Sequence, residues 1–385
     1  MRPLLSLAAA ALLAAAACSA PAPSSPAAAP ATPGLPTSAT ASASGEASPS
    51  PSLGLGLTAN LVDQASTTPM LATATDGRWI AWSRGAAADS ATATEVWLME
   101  AGAPEPPRRV YADPHRDAQL SIVAVSGGGL AWVESRDSSP GQWWIWYLAP
   151  GGGQPVEVDH ITVAGFSQPI VALDSGHLVW TRTARRGGAD ASEIACLDLA
   201  TGARATLRSE PAARTQFVWV SLAGGKLAYA TMGDGDAGSP RHVWLRDLAA
   251  PAGSDRQLDT SGRAALPATN GQVVVWKEAA NEYDDGMLVA YSIADGRTSD
   301  LLFGDEPGEN YPIVGRRFVA AWLSDDTSLW IYDLAEQKAD LIERFNPAGP
   351  VSDVRPLAAG DLLVWIRGTW DDSRPLQLVW ARLPA

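Results

Sequence analysis

The sequence predicts an all-β protein: a seven-bladed β-propeller of four-stranded antiparallel blades, closed by an N-terminal strand that completes the last blade. Three observations carry this expectation. A short apolar run marked by an aromatic residue recurs seven times. The two middle strands of each repeat are apolar at nearly every position, as strands covered on both faces are. The last repeat ends one strand short, while an unassigned strand-like run stands ahead of the first.

The chain opens with Arg2 and an apolar stretch from Leu4 to Ala17, which ends at Cys18. That stretch is too short to span a bilayer and is followed by small residues, the pattern of a secretory signal. Residues 1–17 are therefore read as a signal peptide. Residues 18–54 follow as a Cys18-led tether of Ala, Pro, Ser, Thr and Gly, almost without charge and without aromatics. Such a composition cannot bury a core. Residues 55–385 are read as the propeller.

The markers are Trp82, Trp132, Trp180, Tyr229, Trp276, Trp322 and Trp365, at steps of 50, 48, 49, 47, 46 and 43 residues. Self-similarity near this period points to a propeller or a solenoid. Within each repeat the order is constant. An inner strand comes first, with Pro69, Pro169, Pro267, Pro312 and Pro356 lying 9 to 13 residues before their markers. A turn, the marker strand and a variable polar loop follow. A second apolar strand comes next, such as V96-W-L-M-E100 or L329-W-I-Y-D-L334, and then a ragged edge segment. Nothing shows a sustained helical period. Large flat rings suit the widening gap between blades, which accounts for 16 Trp against 5 Phe. The final repeat stops after L378-V-W-A-R-L383, its third strand, so L55-G-L-T-A-N-L-V-D63 is expected to supply the fourth and seal the ring.

D76-G-R-W-I-A-W-S-R84 with E95-V-W-L-M-E100, L329-W-I-Y-D-L334 and I194-A-C-L-D-L-A-T-G202 resemble the TolB-like and WD-type propeller repeats of bacterial extracytoplasmic proteins. The likeness covers about residues 60–385. It implies a binding platform, a periplasmic scaffold or a lid domain, without choosing among them. The N-terminus resembles a bacterial lipoprotein signal, which implies acylation of Cys18 and anchoring at a membrane outside the cytoplasm. An ordinary secretory signal is the alternative.

Composition narrows the partners. Acidic residues outnumber basic ones 42 to 28, a net charge of -14, which argues against nucleic acid. Cys196 lies in I194-A-C-L-D-L199 and reads as a small buried apolar residue. His115, His160, His177 and His242 show no metal-ligand spacing, and no nucleophile elbow, phosphate loop or dinucleotide fingerprint is present. No catalytic residue and no cofactor is assigned. Acidic pairs recur in the loop after the marker strand: Asp234 and Asp236, Asp284 and Asp285, Asp325 and Asp326, Asp371 and Asp372. Solvated hairpin loops explain them, with a cation-attracting face as the sharper reading and Asp234/Asp236 as a weak calcium candidate. Gln119, Gln168, Gln216, Arg263, Asn310, Tyr311 and Arg355 precede the inner strands and form the candidate ligand-binding ring at the channel mouth. The functional expectation is a membrane-tethered, non-catalytic propeller that binds another envelope protein, possibly a basic one. The alternative is a small-ligand or substrate site, possibly enzymatic, at the mouth.

Overall fold

The computed structural model describes residues 53–65, 72–86, 92–115, 117–162, 168–233, 238–250, 254–281, 284, 286–303, 309–323, 328–344, 356–367 and 376–384. Residues 1–17, Cys18 and nearly all of residues 19–54 lie outside them. The described residues form seven four-stranded antiparallel sheets, the blades of a propeller. From the inner to the outer strand, blade 1 is Ala72–Thr75, Trp79–Arg84, Glu95–Glu100 and Arg108–Ala112, and blade 2 is Ala118–Ser126, Gly129–Arg136, Trp143–Leu148 and Val156–Ile161. Blade 3 is Val171–Asp174, His177–Arg186, Ala189–Asp198 and Arg204–Pro211, and blade 4 is Gln216–Ala223, Lys226–Met232, Arg241–Asp247 and Arg256–Gln257. Blade 5 is Ala264–Thr269, Val273–Glu278, Met287–Ser292 and Thr298–Leu301, and blade 6 is Glu309–Val314, Phe318–Leu323, Ser328–Asp333 and Lys338–Arg344. Blade 7 joins Leu357–Ala359, Leu362–Arg367 and Leu376–Arg382 to Asn60–Ala65 from the other end of the chain.

Among the described residues there is no central core. Seven apolar clusters lie one at each blade interface. In six of the seven blades the marker side chain faces the preceding blade, so Trp82 packs with Val364 and Leu378 of blade 7, and Trp180 with Val133 and Ile145 of blade 2; in blade 6 it is Ala321, beside Trp322, that packs against blade 5. Trp82, Trp132, Trp180, Tyr229, Trp276 and Trp365 are at most 1% exposed. Burying one indole removes roughly 200 Å2 from water, about 5 kcal/mol as an upper bound. Middle strands carry long buried runs, while outer strands such as Arg108–Ala112 alternate between half-buried and exposed. This is the burial that two-sided packing demands.

An indole buried so deeply still needs an acceptor for its N–H. At three interfaces the outer strand of the preceding blade supplies a carboxylate, and an arginine two residues after the marker completes the group. Trp82 Nε1 donates to Asp63 Oδ2 at 2.8 Å, and Arg84 Nη1 reaches the same carboxylate at 2.8 Å. Trp180 Nε1 and Arg182 Nη1 meet Asp159 Oδ2 at 2.8 and 2.9 Å. Trp365 Nε1 meets Glu343 Oε2 at 2.6 Å, with Arg367 Nε 2.8 Å from Glu343 Oε1. The latch is thus W-x-R on one blade and an apolar–acidic pair (Val62-Asp63, Val158-Asp159, Ile342-Glu343) on the one before it. Between blades 3 and 4 a different set serves: Arg208 Nη1 donates to Tyr229 Oη at 2.7 Å, and Tyr229 donates to Asp255 at 2.8 Å.

The ring closes as expected but not with the expected bounds. Asn60–Ala65 is the outer strand of blade 7, pairing Asn60 with Trp380 and Ala65 with Leu376 around a bulge between Leu61 and Asp63. Leu55 belongs instead to a single 3-10 turn, Gly54–Gly56, with φ of 57°. The chain needs this turn to place Leu53, 6% exposed, in the core between blades 6 and 7 before it crosses to the next edge. Gly54 lies so close to blade 6 that a Cβ would overlap the Leu341 carbonyl. A second difference concerns proline. Pro267 and Pro312 stand inside their inner strands, at register shifts between Ala265 and Ala268 and between Asn310 and Ile313, where no ladder N–H is needed.

Two outcomes follow from these contacts. Asp63→Ala removes the carboxylate that Arg84 and the Trp82 N–H share at the ring seam, leaving Arg84 with Glu95 at 3.8 Å, and is expected to cost roughly 2–4 kcal/mol by denaturant unfolding. Glu193, buried in the long hairpin of blade 3, is opposed by burial, but hydrogen bonds from Arg186 and Arg182 outweigh this and hold its carboxyl below the usual range. Its stabilisation is therefore present above the ordinary carboxylate range and is lost as pH falls through the folded value. Glu193→Gln should unfold more easily at pH 7, with the gap to wild type narrowing towards pH ~3.

Candidate functional site

Antiparallel order divides the turns between two faces. Inner–second and third–outer turns lie on one; second–third hairpins and blade-to-blade connections lie on the other. The two faces are built differently.

On the first face the inner turns join in a ring. Asp76 of blade 1 accepts from Gly127 N of blade 2 at 2.7 Å, and Ser126 Oγ donates to Asp174 of blade 3 at 3.4 Å. Asp174 accepts from Gly224 N of blade 4 at 2.6 Å, and Gly224 abuts Gly271 of blade 5. Asn270 Nδ2 donates to Gly315 O of blade 6 at 2.7 Å, and Arg316 N to Gly360 O of blade 7 at 2.5 Å. Gly77 closes the circle. With φ of +91°, it approaches blade 7 so tightly that a Cβ would lie 2.8 Å from the Ala359 carbonyl oxygen. This collar gathers all seven inner turns around the axis. A cavity of about 590 Å3 opens on this face between blades 3 and 4, lined by Ser175, His177, Gly224, Lys226, Asp247 and Leu248. There Lys226 pairs with Asp247, whose carboxyl is held below its usual value first by the Lys226 hydrogen bond and then by the Ala249 N–H.

The opposite face, the channel mouth, carries the candidate ring. Gln119 lies in the inner strand of blade 2, half-buried. Gln168 precedes the inner strand of blade 3 and donates through Nε2 to Ser121 Oγ of blade 2. Gln216 is only 5% exposed at the start of the inner strand of blade 4, so it packs within the blade rather than standing at the surface. Arg263 is exposed, its backbone bridging to Arg241. Asn310 and Tyr311 lie in the inner strand of blade 6. Arg355, Asp234, Asp236, Asp285, Asp325, Asp326, Asp371 and Asp372 lie outside the described residues. The structure therefore brings Gln168 together with blade 2 and leaves Arg263 open to solvent.

Three features were not read from the sequence. Leu266 and Tyr311 adopt left-handed backbone at φ of 55° and 53°, each followed by proline and each at an inner-strand bulge. Such residues carry about 1–3 kcal/mol of strain, and strain of this kind gathers at ligand-contacting positions. The X-Pro pairs in adjacent repeats were the available signal. The second feature is the hairpin of blade 3, whose two strands run ten residues each and lift Arg185 and Arg186 from the mouth face. The third is His242, whose Nδ1 lies 3.1 Å from the buried Asp259, which also accepts from Val243 N at 2.8 Å. His160 stacks on Trp144 at 4.5 Å, and His177 Nδ1 lies 3.0 Å from the Ser175 carbonyl. Among the described residues no three His, Cys, Asp or Glu side chains are placed to share a metal ion.

Cys196 faces the interface of blades 3 and 4 and is 7% exposed. Burial, then the Asp198 charge, pushes its thiol up to about 11. Little thiolate forms at neutral pH, so thiol reagents should label the native chain slowly and label it fully only in denaturant. Rapid native labelling, read by intact mass, would contradict this placement.

No family model and no curated protein matches the chain. Solved structures do. The β-propeller domain of the Trilobed protease from Pyrococcus furiosus, described as having an open velcro topology, aligns at a TM-score of 0.56 and 9% identity over 82% of this chain and 94% of that one. One of two prolyl endopeptidases aligns at 0.58 and 15% identity over 80% of this chain, which spans 45% of that protein. TolB from Acinetobacter baumannii aligns at 0.45 and 16% identity, over 70% and 65%. At these identities the likeness is one of fold: the chain is a seven-bladed β-propeller, here closed by pairing Asn60–Ala65 with Leu376–Arg382.

Proposed function

We propose that this chain is a lipid-anchored, extracytoplasmic propeller that binds a protein partner of the cell envelope through its mouth face, without catalysis of its own. The observation that carries this reading is the difference between the two faces. One is knitted turn to turn around the axis; the other holds the long hairpin of blade 3 and the strained inner-strand positions Leu266 and Tyr311. Interaction surfaces favour such variable, polar loops on a rigid frame. The signal-like residues 1–17, Cys18 and the polar tether 18–54 support anchoring outside the cytoplasm. The acidic pairs on the mouth hairpins of blades 4 to 7 support a basic partner.

A second reading is a small ligand or substrate held at the mouth by Gln119, Gln168, Gln216, Arg263, Asn310, Tyr311 and Arg355. The left-handed Leu266 and Tyr311 favour it, because bulged inner strands re-aim side chains towards the channel. One of the similar folds belongs to a protease and another to an endopeptidase.

Affinity capture from envelope extract separates the readings. On the first, one protein is retained at low salt and lost as ionic strength rises, since exposed charge pairs are screened. Arg263→Ala with Arg355→Ala leaves that capture intact under the first reading and abolishes ligand binding under the second, at unchanged Tm. Cys18→Ala should move the chain from the membrane fraction to the soluble one; retention on membranes would refute the anchor.

A further inference from the structure

The interface between blades 1 and 2 breaks the latch rule. Tyr111 stands where the other outer strands carry Asp63 and Asp159: it pairs with Val96, which pairs with the residue after the marker, as Asp159 pairs with Ile145 and Asp63 with Leu378. Glu134 stands two residues after the marker, in the place of Arg84, Arg182 and Arg367. The tyrosine ring covers Trp132 at 4.8 Å between centroids. The acceptor that Trp82, Trp180 and Trp365 find on the preceding blade is therefore missing. Trp132 Nε1, Glu134 Oε2 and Asp113 Oδ2 are all buried, and among the described residues none makes a hydrogen bond. Trp132 and Glu134 are 0% exposed.

Three orphaned atoms at one interface are a donor and two acceptors. A metal cation matches the carboxylates but is repelled by an indole N–H. An ammonium group cannot accept from that N–H. A water molecule does both, and buried waters typically hold about three such bonds. We propose that a single buried water occupies the interface of blades 1 and 2, accepting from Trp132 Nε1 and donating to Glu134 Oε2 and Asp113 Oδ2, as the counterpart of the carboxylate latch elsewhere.

The surroundings agree. Burial, then Asp113, pushes the Glu134 carboxyl above its usual range, and burial pushes Asp113 up as well. The charged and titratable groups facing the pair are Arg136, whose Nε is 2.5 Å from Glu134 Oε1, and His115, Asp117 and Tyr111. One guanidinium thus serves two carboxyls.

The test is a crystal structure of the full chain at a resolution that shows ordered water. Expected is one peak within roughly 2.7–3.2 Å of all three atoms. An empty interface, carboxyl groups in direct contact, or a peak at about 2.3–2.6 Å with a calcium-dependent Tm would overturn the proposal, the last by making the site a cation site. Solution measurements keep the latch equivalence falsifiable. Tyr111→Asp and Glu134→Arg should each lower Tm, while the double substitution rebuilds the acid–indole–arginine group, displaces the water and returns Tm to the wild-type value or above. A double variant as unstable as the two single losses combined would sink the equivalence on which the site rests.

Discussion

Three of the seven blade interfaces, the seam among them, are joined by an indole N–H reaching back to a carboxylate on the neighbouring blade. Each blade is a thin twisted sheet with two apolar faces, and it can bury them only against its neighbours. A tryptophan fills the widening outer part of that gap, but it brings a polar atom into the dry interface. Asp63, Asp159 and Glu343 resolve this by accepting from the ring and from an arginine in the same strand. The group couples shape to charge. It forms only when two blades are in register, so it specifies the angle between them as well as contributing to their adhesion. At the seam the carboxylate comes from the N-terminal strand, so the same contact that orients a blade also locks the circle.

The two faces differ. On one side the inner turns meet, where Asp76, Asp174 and Asn270 cross from blade to blade. Those turns are short because each must approach its neighbour's backbone, and Gly77 has no room for a side chain. The hairpins of the other face are under no such constraint. In blade 3 the hairpin extends as a ten-residue ladder. A rigid frame with one knitted end leaves the loops of the other end freer to vary.

Much of this was legible along the chain, and the misses have physical causes. The recurrence of Trp82 through Trp365 gave blade number, because a packing role repeated at a constant period leaves a periodic residue. The missing last strand gave the closure, because an unpaired edge is costly. The turn at Gly54–Gly56 was not legible, since nothing local distinguishes Leu55 from the strand residues that follow; the need to seat Leu53 against blade 6 decides it. The latch was partly visible as W-x-R, yet its acid lies 19 to 22 residues earlier and on a different sheet. Gln216 read as a mouth residue because it precedes a strand, and its burial follows only from the packing of blade 4.

By itself the sequence determined the class of fold, the count of blades, the order of strands within each and the fact of a seam, because these follow from periodic burial. Tertiary structure alone decided which side chains meet. Carboxylate and indole, Tyr111 and Trp132, Gly77 and Ala359 are brought together by the curvature of a closed ring. That curvature is a property of all seven blades at once, and no single repeat encodes it.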